Sequence, residues 1–115
     1  IPITNLGLCL DQEGQKDLAE NYLRRALELN PKIANALIVM SDLSLQNGHE
    51  LSARAYFERY AEVRNHSPRT LWLGVQIERA LGDVNAAASY AMLLRSNYPD
   101  SQETRLLLES EAQWQ

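Results

Sequence analysis

The chain has 115 residues, of which 45% are hydrophobic and 23% are charged, a balance typical of one globular domain and not of a disordered segment. A formal net charge of −4 without any Lys/Arg cluster argues against nucleic acid as a partner, and no basic stripe is offered to an anionic membrane surface. The longest apolar run, ANALIVM at 34–40, contains Asn35 and is far too short to span a membrane.

Several landmarks recur along the chain at one spacing. Glycine, alanine and tyrosine each return every 34 residues, and two prolines lie at twice that spacing. The series are Gly14, Gly48 and Gly82; Ala19, Ala53 and Ala87; Tyr22, Tyr56 and Tyr90; and Pro31 and Pro99. This agreement predicts a repeat architecture within a single domain spanning 1–115, with units at about 1–33, 34–67 and 68–100.

Each unit contains two predicted helices. The apolar or small residues at helical spacing in the first helices are Ile3, Leu6, Cys9 and Leu10; Leu37, Met40, Leu43 and Ser44; and Leu71, Gly74, Val75 and Ile77. The corresponding residues of the second helices are Ala19, Tyr22, Leu23 and Ala26; Ala53, Tyr56, Phe57 and Tyr60; and Ala87, Tyr90, Ala91 and Leu94. We expect each first helix to close at its glycine, which adopts positive φ easily, and proline to stop the second helix.

The segment after Pro99 predicts a capping helix at about 101–113. Asp100 or Ser101 is its expected N-cap. The expected apolar stripe is Leu106, Leu107 and Leu108, and the acidic residues expected to face solvent are Glu103, Glu109 and Glu111. A polar outer face is what the last element of a helical-repeat stack requires.

The N-terminal side shows no comparable cap, because the first unit begins with the first residues of the chain. We therefore expect further repeats upstream in a longer protein. An uncapped first helix would leave Ile1, Ile3 and Leu6 exposed. Self-association at that end is a further expectation.

A 34-residue helix–turn–helix unit with glycine, alanine, an aromatic residue and proline in this order resembles the tetratricopeptide repeat. The first unit fits best, through Leu6-Gly7, Ala19, Leu23, Ala26 and Pro31. The departures are Ser41, Ser44 and Tyr60 in the second unit and Gly74 and Glu78 in the third. The resemblance implies an all-α right-handed superhelix, an α-α solenoid of about three repeats plus the C-terminal capping helix.

The sequence offers no pattern for catalysis or metal binding. His49 and His66 fall in connections between predicted helices, where solvated histidines are expected. Neither a metal-ligand spacing nor a glycine-rich phosphate loop occurs in the 115 residues. We therefore predict a protein that is not an enzyme and takes no cofactor or metal.

The expected binding surface is the concave side of the stack, which the first helix of each unit lines. Residues opposite the packing stripe are predicted to face it: Leu8 (with Thr4 and Asp11), Asn35, Ile38, Asp42, Leu45, Arg69, Trp72, Gln76 and Arg79. Apolar anchors ringed by arginine are typical of binding hot spots. The alternative is that Trp72 or Ile38 packs on a neighbouring helix. The Lys/Asn clamp of chaperone-binding repeats is missing, which disfavours a chaperone-tail adaptor.

Particular strings carry a narrower resemblance. They are NLGLC at 5–9, AENYLRRALELNP at 19–31, LWLGVQIERALGD at 71–83 and AAASYAMLLRSNYPDSQE at 86–103. Together they resemble the PilF/PilW family of type IV pilus biogenesis/stability proteins, from Asn5 to about Leu107. The third and fourth strings are the more specific ones.

That resemblance implies a periplasmic lipoprotein anchored to the outer membrane through an N-terminal lipid that this segment lacks. Its members act as pilotins or assembly factors that promote targeting or oligomerisation of the pilus secretin, without catalysis. The single cysteine, Cys9, is then either a small buried hydrophobe or the partner of a cysteine in an upstream repeat. The alternatives are a generic repeat adaptor and a regulatory module of another complex or of an enzyme.

Overall fold

A computed structural model of the chain describes residues 16–113, and every regular element in that range is an α-helix. The helices are α1 (Lys16–Leu29), α2 (Ala34–Gln46), α3 (Glu50–Val63), α4 (Pro68–Leu81), α5 (Val84–Asn97) and α6 (Gln102–Gln113). Helices α2, α4 and α6 begin at residues 34, 68 and 102, so the predicted 34-residue period is also the period of the structure.

The predictions made for residues 1–15 and for Trp114 lie outside the described range. The described chain divides into two compact units between Asn65 and His66. Helices α1, α2 and α3 belong to the first unit, and α4, α5 and α6 belong to the second.

The core of the first unit forms where α2 packs against α1 and α3. Its buried side chains include Leu23 and Leu27 from α1, Leu37 and Leu43 from α2, and Tyr60 from α3. Burying a side chain of this size contributes about 1.5–3 kcal/mol, so these stripes are what hold the three helices together.

A polar departure from the repeat pattern is accommodated inside this unit. Ser41 stands where the repeat has glycine, and it is fully buried in α2. Its hydroxyl donates a hydrogen bond of 2.8 Å to the carbonyl oxygen of Ala53 in α3. The buried hydroxyl is therefore satisfied, and Ala53, itself fully buried, provides the predicted close crossing point.

The core of the second unit forms where α4 packs against α5 and α6. Leu71, Val75, Ala91, Leu94 and Leu107 are its buried members. The side chains of three half-buried aromatic residues pack against it, namely Trp72, Tyr90 and Tyr98.

Glycine closes the first helix of each complete repeat, as the sequence predicted. Gly48 and Gly82 adopt φ values of 79° and 78°, in the left-handed region that favours glycine. After each glycine the chain folds back onto the helix: His49 N donates to Ser44 O at 2.8 Å, and Asp83 N donates to Glu78 O at 2.9 Å. The two turns are therefore the same structure, repeated 34 residues apart.

Side-chain caps start the helices of the second unit. At α4, Ser67 Oγ accepts from Thr70 N at 3.3 Å and Ser67 N donates to Thr70 Oγ1 at 2.8 Å, while Pro68 occupies the first helical position. Asp83 caps α5 through a 3.0 Å bond from Ala86 N. Of the two caps predicted for the last helix, Ser101 is the one used, because its Oγ accepts from Thr104 N at 3.1 Å.

The three-leucine stripe predicted for α6 is wrong. Leu107 is fully buried, whereas Leu106 and Leu108 are 40% and 50% exposed. Consecutive helical residues point about 100° apart, so only one of three adjacent leucines can face the core.

The acidic face predicted for α6 is only partly correct. Glu109 is exposed, but Glu103 and Glu111 are half-buried. Glu111 forms an ion pair with Arg95 of α5, with Nη1 of Arg95 2.7 Å from Oε1 and 3.0 Å from Oε2. A charged residue of α5 within reach of α6 thus changes what the acidic residue does.

Candidate protein-binding surface

The predicted binding residues fall on one face of α2 and on one face of α4. On α2 they are Asn35, Ile38, Asp42 and Leu45, and on α4 they are Arg69, Trp72, Gln76 and Arg79. The two sets share the same intervals along the helix, which place all four residues of each set in one row. Leu8, the remaining predicted residue, lies outside the described range, as do Thr4 and Asp11. The rows are called the α2 row and the α4 row below.

The α2 row mixes solvent-facing and core-facing atoms. Asn35 is exposed, and its Oδ1 accepts a 3.4 Å bond from Nη1 of Arg64. Ile38 is half-buried and packs against the core of the first unit. Asp42 and Leu45 are also half-buried. The row thus offers an apolar strip beside one carboxylate and one amide.

The α4 row has two fully accessible members. Arg69 and Gln76 are exposed. Both project from a helix whose other face is fixed by the buried residues Leu71 and Val75. A rigid helix that presents a guanidinium and an amide can donate several hydrogen bonds to a partner's carbonyl and carboxylate groups.

Trp72 and Arg79 are committed to contacts within the second unit. The indole of Trp72 packs against the core, and the guanidinium carbon of Arg79 lies 5.8 Å from the centroid of its ring. Arg79 Nη1 also donates to Ser110 Oγ of α6 at 2.8 Å. The alternative of Trp72 and Ile38 as packing residues therefore holds for part of each side chain, while the rest of each is accessible.

Sequence reasoning did not find Arg64 and Ser110 as the partners of two row residues. The repeat gives no signal for Arg64, since positions 30 and 98, one period away on either side, hold Asn30 and Tyr98. Ser110 has Asp42 and Gln76 at the corresponding positions. Contacts made by residues that do not recur cannot be inferred from the recurrence.

His66 was predicted to be a solvated loop residue, and it is half-buried instead. Its Nδ1 lies 3.0 Å from Thr70 Oγ1, and its ring meets that of Tyr90 edge to face with centroids 6.1 Å apart. Burial lowers the pKa of this imidazole from its ordinary value of 6.5, because the charged form loses solvation. His49, in the turn after Gly48, is exposed as expected.

Two further properties of the described residues bear on function. No three His, Cys, Asp or Glu side chains between residues 16 and 113 come together in a way that could hold a metal ion. In the same part of the chain, no helix is both long enough and apolar enough to cross a membrane.

The family model described as "Tetratricopeptide repeat" matches residues 3–33. This is the unit that also fits the repeat signature best by its residues. The match agrees with the helix–turn–helix geometry of the following units, whose first helices begin one period apart.

A curated relative extends the similarity beyond one repeat. The chain is 31% identical over 99 residues to the type IV pilus assembly protein PilF of Pseudomonas aeruginosa, an alignment that covers 86% of this chain and 39% of that protein. The chain thus spans about two fifths of the length of this relative.

Two solved structures have the same fold. A structure from the functional characterisation of Pseudomonas aeruginosa PilF matches with a TM-score of 0.87 and 29% identity, covering 94% of this chain and 49% of that one. The crystal structure of PilW, a widely conserved type IV pilus biogenesis factor, matches with a TM-score of 0.81 and 34% identity, covering 92% and 49%.

These similarities confirm both the predicted all-α repeat fold and the resemblance found in the sequence. They run through nearly the whole chain, and they agree in fold and in sequence with the same pair of pilus proteins. The chain is a tetratricopeptide-repeat protein related to the type IV pilus biogenesis factors PilF and PilW.

Proposed function

We propose that this chain is a non-catalytic protein-binding scaffold of type IV pilus biogenesis. Its three repeats and the last helix act as one domain that holds a segment of the pilus secretin and promotes its targeting or oligomerisation. The observation that carries the proposal is the similarity of 94% of the chain to PilF, at a TM-score of 0.87. Helical repeats of this type present side chains from regularly spaced helices, which suits the binding of an extended partner.

The α2 row and the α4 row are the proposed contact residues. Arg69 and Gln76 supply exposed donors, and the accessible parts of Ile38 and Trp72 supply apolar area. This combination of arginine with aromatic and aliphatic surface is typical of the residues that dominate binding energy. A partner segment with alternating apolar and acidic or carbonyl-rich positions fits it.

The proposed location is the periplasm, at the outer membrane, with a lipid on a cysteine of a longer N-terminal region as the anchor. The support is the relationship to two pilus biogenesis factors. The chain spans only 39% of the curated relative, so the anchor belongs to the whole protein and not to the described helices.

The test uses the full-length protein with both exposed residues of the α4 row reversed in character. Arg69→Glu combined with Gln76→Glu is expected to weaken capture of the secretin by about tenfold, since both donors are lost and negative charge is added. The measurement is co-purification of secretin from cell envelopes, together with the yield of the assembled secretin ring.

A matched control carries the same change in charge on α6. Arg105→Glu combined with Gln113→Glu alters two exposed residues outside both rows and is expected to leave capture unchanged. Circular dichroism of both variants checks that the helices persist. Equal capture by the two variants would show that the α4 row is not the contact surface, and no capture even by the unmodified protein would remove the scaffold role.

A further inference from the structure

The second unit contains an open groove that the proposed function does not use. It has a volume of about 560 Å³ and lies where α5 and α6 meet the end of α4. Its apolar lining comes from Val84, Ala87, Ala88 and Ala91. A groove of this size matches the range of sites that enclose a small ligand or a few side chains of a peptide.

The repeat explains why the groove is open. Helices α5 and α6 stand 68 residues, or two periods, after α1 and α2. In the first unit the positions that matter are buried leucines: Leu23, Leu27 and Leu43 all belong to the core. The residues at the corresponding positions of the second unit are Ala91, Arg95 and Glu111.

Three leucines are thus replaced by one small and two charged residues in the same structural setting. Ala91 removes volume from the side of α5 that faces the groove. Arg95 and Glu111 pair with each other at 2.7 Å, half-exposed, where their counterparts are buried. The packing that closes the α1–α2 contact is therefore absent between α5 and α6, and Val84 is left 77% exposed at the edge.

The charged lining selects the kind of partner. Two guanidinium groups, from Arg79 and Arg95, border the groove, against the single carboxylate of Glu111. This local positive excess occurs in a chain with a net charge of −4. Carboxylates are attracted to such a rim, and the forked guanidinium geometry suits them.

We propose that this groove is a docking site for an acidic–hydrophobic segment of a partner protein. The segment inserts one large aliphatic or aromatic side chain over Ala88 and Ala91, in the space that leucines fill in the first unit. A neighbouring aspartate or glutamate of the partner lies against Arg79 or Arg95. This surface is separate from the α2 row and the α4 row except for Arg79, which borders both.

The test selects short random peptides displayed on phage against the intact chain and measures the affinity of the enriched peptides by fluorescence polarisation. Enriched peptides are expected to combine Leu, Phe or Met with Asp or Glu. Enrichment of basic peptides, or no enrichment at all, would overturn the proposal. Analytical ultracentrifugation of the chain alone separates the other occupant, a second copy: a dimer that disappears on Ala88→Trp would also overturn it.

Two substitutions fill the groove, and one control does not. Ala91→Leu restores the residue found at Leu23, and Ala88→Trp places an indole over the same floor. Each is expected to weaken binding of the selected peptides by at least about tenfold. Ser96→Trp adds the same indole to an exposed position of α5 outside the groove and is expected to leave affinity unchanged. If the groove variants keep native circular dichroism and bind as well as the control, the groove is not the site.

Discussion

Ser41 shows how a single residue can depart from a repeat pattern without loss of packing. It is completely buried, and its hydroxyl donates to the Ala53 carbonyl oxygen across the α2–α3 contact. A net hydrogen bond of this kind contributes about 1 kcal/mol in proteins. The residue thus adds a specific link at the point where the two helix axes come closest.

Replacing Ser41 by alanine is expected to lower the free energy of unfolding by about 1 kcal/mol, because the bond to Ala53 is lost while the volume hardly changes. Urea denaturation followed by circular dichroism measures it. The control is Ser52→Ala, an exposed position of α3, for which a change within about 0.5 kcal/mol is expected. Equal losses for the two serines would remove the role given to the buried bond.

His66 makes stability depend on pH. Burial lowers its pKa in the folded protein below the ordinary 6.5, so the unfolded chain binds the proton more readily than the folded one. The stabilisation from the neutral imidazole is therefore complete above pH 6.5 and decreases as the pH falls through 6.5 toward the lower folded value. Urea midpoints at about pH 7.5 and about pH 5.5 are expected to be lower at the acidic pH.

The matched variant is His66→Gln, which keeps a polar side chain and removes the titrating group. The difference between its two midpoints is expected to be smaller than that of the unmodified chain. A ring proton titration by NMR gives the folded pKa of His66 directly. A value at or above 6.5 would contradict the assigned effect of burial.

At the scale of elements, α6 depends on one leucine. Leu107 is fully buried in the core of the second unit, and Leu106 and Leu108 on either side are half-exposed. The sequence placed all three in one stripe, because a run of leucines shows that a helix has an apolar side without showing which residue faces the core. The neighbouring Thr104, also buried, fixes the direction, since its Oγ1 donates to Tyr98 O at 2.6 Å.

Leu107→Ala is expected to cost about 2–5 kcal/mol of unfolding free energy, through lost burial and the cavity left behind. Leu108→Ala removes the same atoms from a half-exposed position and is expected to cost well under half of that. Both are measured by chemical denaturation. If Leu108→Ala proved the more damaging of the two, the orientation of α6 would be wrong.

For the whole molecule, the 34-residue period was sufficient to predict the helices, their order and their closing turns. Gly48, Gly82 and the alanines at Ala53 and Ala87 do the same work in each copy, so one copy predicts the next. The period could not predict the half-burial of His66 or the bond from Arg79 to Ser110, because those residues have no equivalent partner one period away. The similarity to PilF and PilW supplied the biological setting, which no periodicity contains.

The two glycine turns, which differ by only 1° in φ, have a consequence for how information is distributed along the chain. Whatever recurs specifies the architecture several times over, and therefore cannot distinguish one copy from another. Identity has to be written in positions that break the recurrence. Ala91, Arg95 and Glu111 are such positions, since they replace leucines of an earlier copy, and they meet at one groove.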